Sequence, residues 1–391
     1  MIETIFSIVM AELVLGGGGR TFSIGSLSLR MLLFGAMIAA TLVGAISSAR
    51  KRDGFATANL LVLAFFASLI PGLLVDAAWG TPARIVLAGI QPILFWLTAP
   101  FFALALQDVK TIRRGGTIIT YGGVAVAVVT TILTIGLYVG FVGFGSLYVW
   151  ANQTEEMFFR GTTNFFYKGH FFVGISLIFC VIMAPRWWRI MVLVLIASLA
   201  LSLTRGLFVA VAIALALSFV SQRRHIYIIA ALIVSVIVAA FYGHFVLDIL
   251  FDPTRVTSSQ TRSRDISYFI MTFDYDTLLF GDGLGSLLNG RSSVENSYLW
   301  VIWRFGILGL IFTLVPLFMS ISYYFKVPRS GENYKLASAF FFGIVMLYIL
   351  TAFNPFINNS IGLMYLFCAL FSLRRLSRVE DGVVLSLGVI A

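Results

Sequence analysis

The chain has 391 residues, 60% of them apolar and only 11% charged, and its mean hydropathy is +0.98. Soluble domains are roughly half apolar and a quarter charged, so this balance excludes a soluble globular protein and reads as an integral membrane protein. The formal charge of +10 does not point to nucleic acid, because the basic residues are scattered in twos and threes between apolar runs and form no single soluble basic face.

Apolar stretches recur at roughly the 20-residue length a helix needs to cross a bilayer, without the alternation of a β-barrel strand. The fold class is therefore all-α: a polytopic transmembrane helical bundle of about twelve spans, forming one membrane domain over residues 1–391. In chain order the segments fall at 2–15, 22–47, 55–76, 84–107, 115–140, 169–184, 188–203, 206–220, 226–243, 297–323, 336–353 and 359–374. The first is short and contains Glu12, as a tilted or half-inserted segment would. With Glu3 and Glu12, no basic n-region and no small-residue cleavage site, it reads as retained rather than as a removable signal.

Alternate connections carry Arg50, Lys51 and Arg52; Lys110, Arg113 and Arg114; Arg186 and Arg189; Arg223 and Arg224; Lys326, Arg329 and Lys335; and Arg374, Arg375 and Arg378. More than half of the basic residues lie there, so the positive-inside rule puts these connections, and both chain ends, in the cytoplasm. The long connections, 141–168 and 244–296, then face outward with the tight "SLTRG" joint at 202–206. The cytoplasmic loops are too short to fold separately, so chemistry belongs to the outer loops and the outer ends of the spans. Cys180 and Cys368 lie in apolar segments and suggest no disulfide framework.

Within the large outer loop, Arg255, Arg262, Arg264 and Arg291 join Arg205 of the short joint in a positive field on the side where orientation disfavours it. Guanidinium forks match phosphate oxygens in two-point contacts, so phosphate recognition rewards this arrangement. The alternative is a solvated loop pairing with its own Asp252, Asp265, Asp274 and Asp276, a reading that suits Arg255 and Arg291 more than Arg264 and Arg205. "GDGLG" at 281–285 has no preceding strand and reads as turn chemistry. "DYD" at 274–276 has a metal-binding spacing but fits a surface cap equally well. His170, His225 and His244 lie apart and form no zinc-like cluster.

Glu295 and Asn296 stand at the outward start of the tenth span. Capping stabilises a helix start by about 0.3 to 1 kcal/mol for an anion; it accounts for Asn296 or Ser297 but does not call for a carboxylate. A carboxylate beside a positive cavity can serve as a base. Arg304 lies eight residues beyond Asn296, about 12 Å along a helix. A membrane-embedded arginine costs about 2.5 kcal/mol or more unless paired or hydrated, so it suggests a polar pocket descending from that mouth.

These residues resemble the O-antigen polymerase and ligase superfamily. The likeness rests on "SLTRG" at 202–206, on Arg264 followed four residues later by Tyr268, on "LLFGDGLG" at 278–285, on "ENSYLWVIWRFGILGL" at 295–310, and on the large loop between spans nine and ten. It covers chiefly residues 200–310. The ligase pattern has a histidine immediately before the asparagine, where this chain has Glu295, which favours a polymerase over a ligase.

The resemblance implies a bacterial inner-membrane enzyme whose large loop, residues 244–296, is periplasmic. It would transfer a glycan from undecaprenyl diphosphate onto a terminal sugar hydroxyl of another lipid-linked repeat. Arg205 and Arg264 would hold the diphosphate, and Glu295 would orient or deprotonate the acceptor hydroxyl. Arg262, Arg291, Asn296, Tyr268 and Arg304 would line the substrate. No cofactor, metal or nucleotide sugar is required, and a chain-length regulator protein is an implied partner beside membrane lipid. Tyr268, Trp300 and Trp303 fit either stacking on sugars or anchoring at the interface. The rival class is transport by a flippase or secondary transporter. There ionisable groups near the midplane are expected, whereas Arg30 and Arg304 stand in the spans without an evident acidic relay.

Overall fold

The computed structural model describes residues 1–24, 27–47, 54–222, 256–272, 274–288, 290–291 and 294–379; of residues 24, 47, 160, 256–259, 261 and 262 it describes the backbone alone. Eleven of the twelve apolar segments coincide with helices. The ninth, 226–243, lies outside the described residues, as do Arg50, Lys51, Arg52, Arg223, Arg224, His225, His244, Asp252 and Arg255.

In chain order the helices are α1 (Ile2–Leu15), α2 (Leu29–Ser47), α3 (Phe55–Ser68), α4 (Ile70–Ala78), α5 (Ala83–Ile90), α6 (Ala99–Ala105), α7 (Val109–Val139), α8 (Phe144–Thr154), α9 (His170–Met183), α10 (Trp188–Ser202) and α11 (Arg205–Ser221). There follow α12 (Val256–Thr272), α13 (Tyr275–Phe280), α14 (Ser297–Lys326), α15 (Gly331–Thr351) and α16 (Ser360–Leu376). Two small antiparallel hairpins sit between helices. One is β1 (Ser23–Ile24) with β2 (Leu27–Ser28); the other is β3 (Met157–Arg160) with β4 (Asn164–Tyr167).

Among the described residues six runs are long and apolar enough to cross a membrane: 29–46, 55–78, 83–105, 109–139, 297–326 and 331–351; α9, α10 and α11 are shorter apolar helices. Several of these runs are interrupted. Pro71 lies in the first turn of α4, just past the α3–α4 break at Leu69, and Pro92 lies in the first turn of a 3-10 stretch, Gln91–Thr98, between α5 and α6. Proline lacks the amide that the helical ladder needs, so such breaks lie beside it.

α9 and α16 are buried almost all round and form the centre, as expected of helices apolar on every face. Small residues let neighbours close on them. A Cβ at Gly123 of α7 would fall 2.7 Å from the Phe172 carbonyl oxygen, and Ser176 Oγ donates there to the Thr120 carbonyl at 2.5 Å. Close backbone approach of this kind is how helices associate where lipid removes the hydrophobic drive. Leu42, Ile46, Leu60, Leu63 and Leu74 remain exposed on α2, α3 and α4, the sides a bilayer would cover.

Contacts define two ends of the bundle. At one, Arg374 donates to the Tyr323 hydroxyl at 2.7 Å and Arg113 to Asn333 at 3.3 Å. The other carries residues 16–24, 140–169, 203–204, 281–288, 290–291, 294–296 and 352–359, together with α12 and α13, and it holds the candidate site.

Candidate active site

α14 starts at this second end, and its cap is Asn296, whose side-chain oxygen accepts from the amides of Tyr298 at 3.0 Å and Leu299 at 3.1 Å. An asparagine there satisfies amides the helix leaves open. Glu295, half-buried, is the residue immediately before the cap and is not the cap itself. Capping therefore accounts for Asn296 and is not the task of Glu295.

Ser297, the first residue of α14, gives its carbonyl to Asn358 Nδ2 at 3.4 Å, which ties the helix start to connection 352–359. The same connection receives α11: a Cβ at Gly206 would meet Phe353 Cβ at 2.9 Å. Arg205, which opens α11 and is half-buried, is thereby carried on the same support as Glu295.

α12 lies across the head of α14 through rings, with Tyr268 and Phe269 at 6.3 and 6.0 Å from Trp303. Arg264 is exposed on this helix. Its neighbour Asp265 is buried in an ion pair with Arg291, so for Arg291 the loop's internal pairing is what the structure contains. Arg262 occupies a helical position, but its side chain lies outside the described residues. Trp300 and Trp303 are both buried rather than set at an interface.

Arg304 occupies a different setting from the other arginines. It is buried, its guanidinium lies 4.8 Å over the Trp300 ring, and it donates to the Ser286 carbonyl at 3.2 Å. Where a polar pocket was expected to descend, loop 281–286 fills the space. The loop enters because α14 is broken at Gly306, which has φ 64° and ψ −164°. Glycine alone takes that conformation readily, and the Trp303 carbonyl accepts from the Asp282 amide at 2.7 Å.

Beneath the loop stands Asp76 near the end of α4, 4% exposed. It accepts from the amide of Leu284 at 2.7 Å and from that of Gly285 at 3.1 and 3.2 Å. The "GDGLG" turn is thus a backbone cradle for a carboxylate of its own chain. Asp274 of "DYD" caps α13 by accepting from the Thr277 amide at 2.7 Å, a bond that lowers its pKa. Burial pushes Asp282 upward, partly offset by the Thr277 hydroxyl. Among the described residues no three His, Cys, Asp or Glu side chains gather as a metal set.

A second polar cluster adjoins the same end. Arg30 is 2% exposed and takes both oxygens of Glu12, from Nε at 3.0 Å and Nη2 at 3.1 Å, while Nη1 reaches Ser360 at 3.1 Å. The glycine run 16–19 wraps a buried Glu156, which accepts from the amides of Gly18 at 2.5 Å and Arg20 at 2.7 Å. Desolvation raises the Glu156 pKa against those bonds and against nearby Lys168, whose own pKa burial lowers. His170 is buried and stacks on Phe166 at 5.6 Å. Sequence reasoning named Arg30 and Arg304 as intramembrane charges and missed their acidic neighbours Glu12 and Asp76. The signals were the tetraglycine directly after α1 and an aspartate at the edge of an apolar run.

No family model matches the chain. It is similar to an O-antigen polymerase of Shigella flexneri, with 24% identity over 380 aligned positions that cover 90% of this chain and 95% of that relative. The resemblance to the O-antigen polymerase and ligase superfamily is therefore borne out along nearly the whole chain, well beyond residues 200–310 where its motifs lie.

Proposed function

We propose that the protein polymerises undecaprenyl-diphosphate-linked oligosaccharide repeat units at the periplasmic face of the bacterial inner membrane, with both chain ends in the cytoplasm. The observation that carries this reading is Glu295, a carboxylate placed next to a cap it does not form. It stands at the end of the bundle that also bears Arg205, Arg264 and Arg291. Near full-length similarity to a protein named O-antigen polymerase supports the reaction class.

In the reaction, an acceptor sugar hydroxyl attacks the anomeric carbon of the donor glycan, and its proton passes to the Glu295 carboxylate. The bond from that carbon to the diphosphate oxygen breaks, and undecaprenyl diphosphate leaves with the bonding pair. Arg205 and Arg264 stabilise the charge that gathers on the leaving oxygens, a contribution of about 10²–10³ per donor in comparable sites. Base assistance of the Glu295 kind adds about 10²–10⁴. The arginines do the neutralising, so no metal enters this scheme.

A carboxylate in place of the ligase histidine favours polymerisation over transfer to a lipid A core. Broken helices, α14 at Gly306 among them, are a feature a transporter would share. Against transport, the buried acids Glu12 and Asp76 lie within three residues of their helix ends rather than at mid-helix. The test is reconstitution of the purified protein in liposomes with lipid-diphosphate-linked repeat units. A ladder of lengthening chains is expected. Transfer only to added lipid A core would make the protein a ligase, and movement across the bilayer without new glycosidic bonds would make it a flippase.

A further inference from the structure

Between loop 281–286 and α14 stand the described residues 287–288, 290–291 and 294–296, which we call the arch. Its middle is closed by paired backbone hydrogen bonds between Leu288 and Arg291, both at 3.0 Å. Leu288 and Val294 turn inward and are buried. One foot is the Asn296 cap. The other is the loop, and what grips the loop from below is Asp76. The fit there is close on both sides: a Cβ at Gly283, whose φ is +94°, would come 2.7 Å from Asp76 Oδ1. One at Gly72 of α4 would lie 3.0 Å from the Arg304 carbonyl oxygen and 3.5 Å from Gly283 Cα. The arch carries Glu295, and through the Arg291–Asp265 ion pair it also holds α12, on which Arg264 stands.

We propose that Asp76 is a positioning residue for the transfer reaction: by accepting the Leu284 and Gly285 amides it fixes the arch that presents Glu295 and braces the helix bearing Arg264. The proposal rests on the catalytic reading of Glu295. The carboxylate suits this task because both of its oxygens accept, so it satisfies two successive backbone amides with no donor of its own. An amide of the same shape would turn a donor toward one of them, loosening the foot without emptying the site.

The experiment compares Asp76→Asn, Gly283→Ala and Glu295→Gln with the unaltered protein. All are purified in detergent and assayed with undecaprenyl-diphosphate-linked repeat unit extracted from the source strain, and amide exchange is followed over residues 282–296. Asp76→Asn is expected to lower kcat by about 10²-fold, the scale on which a misplacement near 1 Å acts, with KM within about twofold. Exchange at 282–296 should quicken about tenfold while the rest of the bundle keeps its protection. Gly283→Ala strikes the same contact from the other side. It should reproduce both effects, and combining it with Asp76→Asn should add little. If Asp76→Asn does not fold, Gly283→Ala carries the test alone. Unchanged kcat or unchanged exchange in a folded variant, with Glu295→Gln inactive, would overturn the positioning role and leave the base in place. Full activity of Glu295→Gln would overturn the catalytic reading and the proposal with it.

Discussion

Arg205 opens α11 on the support that also holds the start of α14, and its proposed work is to neutralise a leaving diphosphate. Arg205→Ala is expected to cut chain extension by about 10²–10³. Arg205→Lys should recover only part of it, because a point charge cannot make the two-pronged contact of a guanidinium. Steady-state rates on purified lipid-linked donor, with abundance and insertion checked by immunoblot, decide the matter. Wild-type rates in Arg205→Ala would remove the residue from the chemistry. Glu156 makes a prediction of a different kind. Burial raises its folded pKa above the ordinary 4.5, so the folded state holds that proton to higher pH than the unfolded chain does. Its contribution to stability is therefore most favourable below 4.5 and declines as pH rises through the window above that value. Thermal midpoints in detergent should show the unaltered protein losing ground to Glu156→Gln across this window, and a constant difference would contradict the assignment. Residues whose part depends only on near neighbours were readable in advance: the cap at Asn296 and the cap within "DYD" follow from a polar side chain at a helix start. Glu12 with Arg30 and Asp76 with Leu284 were not, because each contact joins segments that only the folded bundle brings together.

At the scale of elements, hydropathy marks where helices lie but not where they break. The segment at 55–76 divides after Ser68, the one at 84–107 passes through a 3-10 stretch, and α14 breaks at Gly306. Each break lies inside a run whose average composition is uniformly apolar, so a window sum passes over it. The first break and the second lie beside prolines visible in the sequence, Pro71 and Pro92. The third depends on loop 281–286 arriving to use the freed Trp303 carbonyl, which is tertiary information. The clamp of α1, α2 and α16 through Glu12, Arg30 and Ser360 is likewise an inter-element device. Arg30→Met strands a buried carboxylate and should cost about 3–5 kcal/mol, whereas Glu12→Gln combined with Arg30→Met should cost distinctly less. Equal losses in the single and double variants, read from unfolding midpoints, would show that the pair is not coupled.

At the scale of the whole molecule, the buried acids among the described residues, Glu12, Asp76, Glu156 and Asp265, gather at one end. Basic residues at the helix ends around Arg113, Arg374 and Arg375 oppose an end where acids are buried under glycine-rich turns and arginines crown the surface. The general architecture followed from composition because a bilayer leaves a chain few options, and satisfying the backbone inside each helix is one of them. The hairpins β1–β2 and β3–β4 were not foreseen, being short, local and stabilised by what they pack upon. The proposed chemistry needs the end bearing residues 281–296 to meet lipid-linked glycan outside the cytoplasm, and it needs one carboxylate to act there. The most direct measurement is chain extension by purified Glu295→Gln in liposomes containing undecaprenyl-diphosphate-linked repeat units. A folded, inserted variant that extends chains about 10²-fold or more slowly than the unaltered protein is expected; a ladder formed at the unaltered rate would contradict the role of Glu295 as the base.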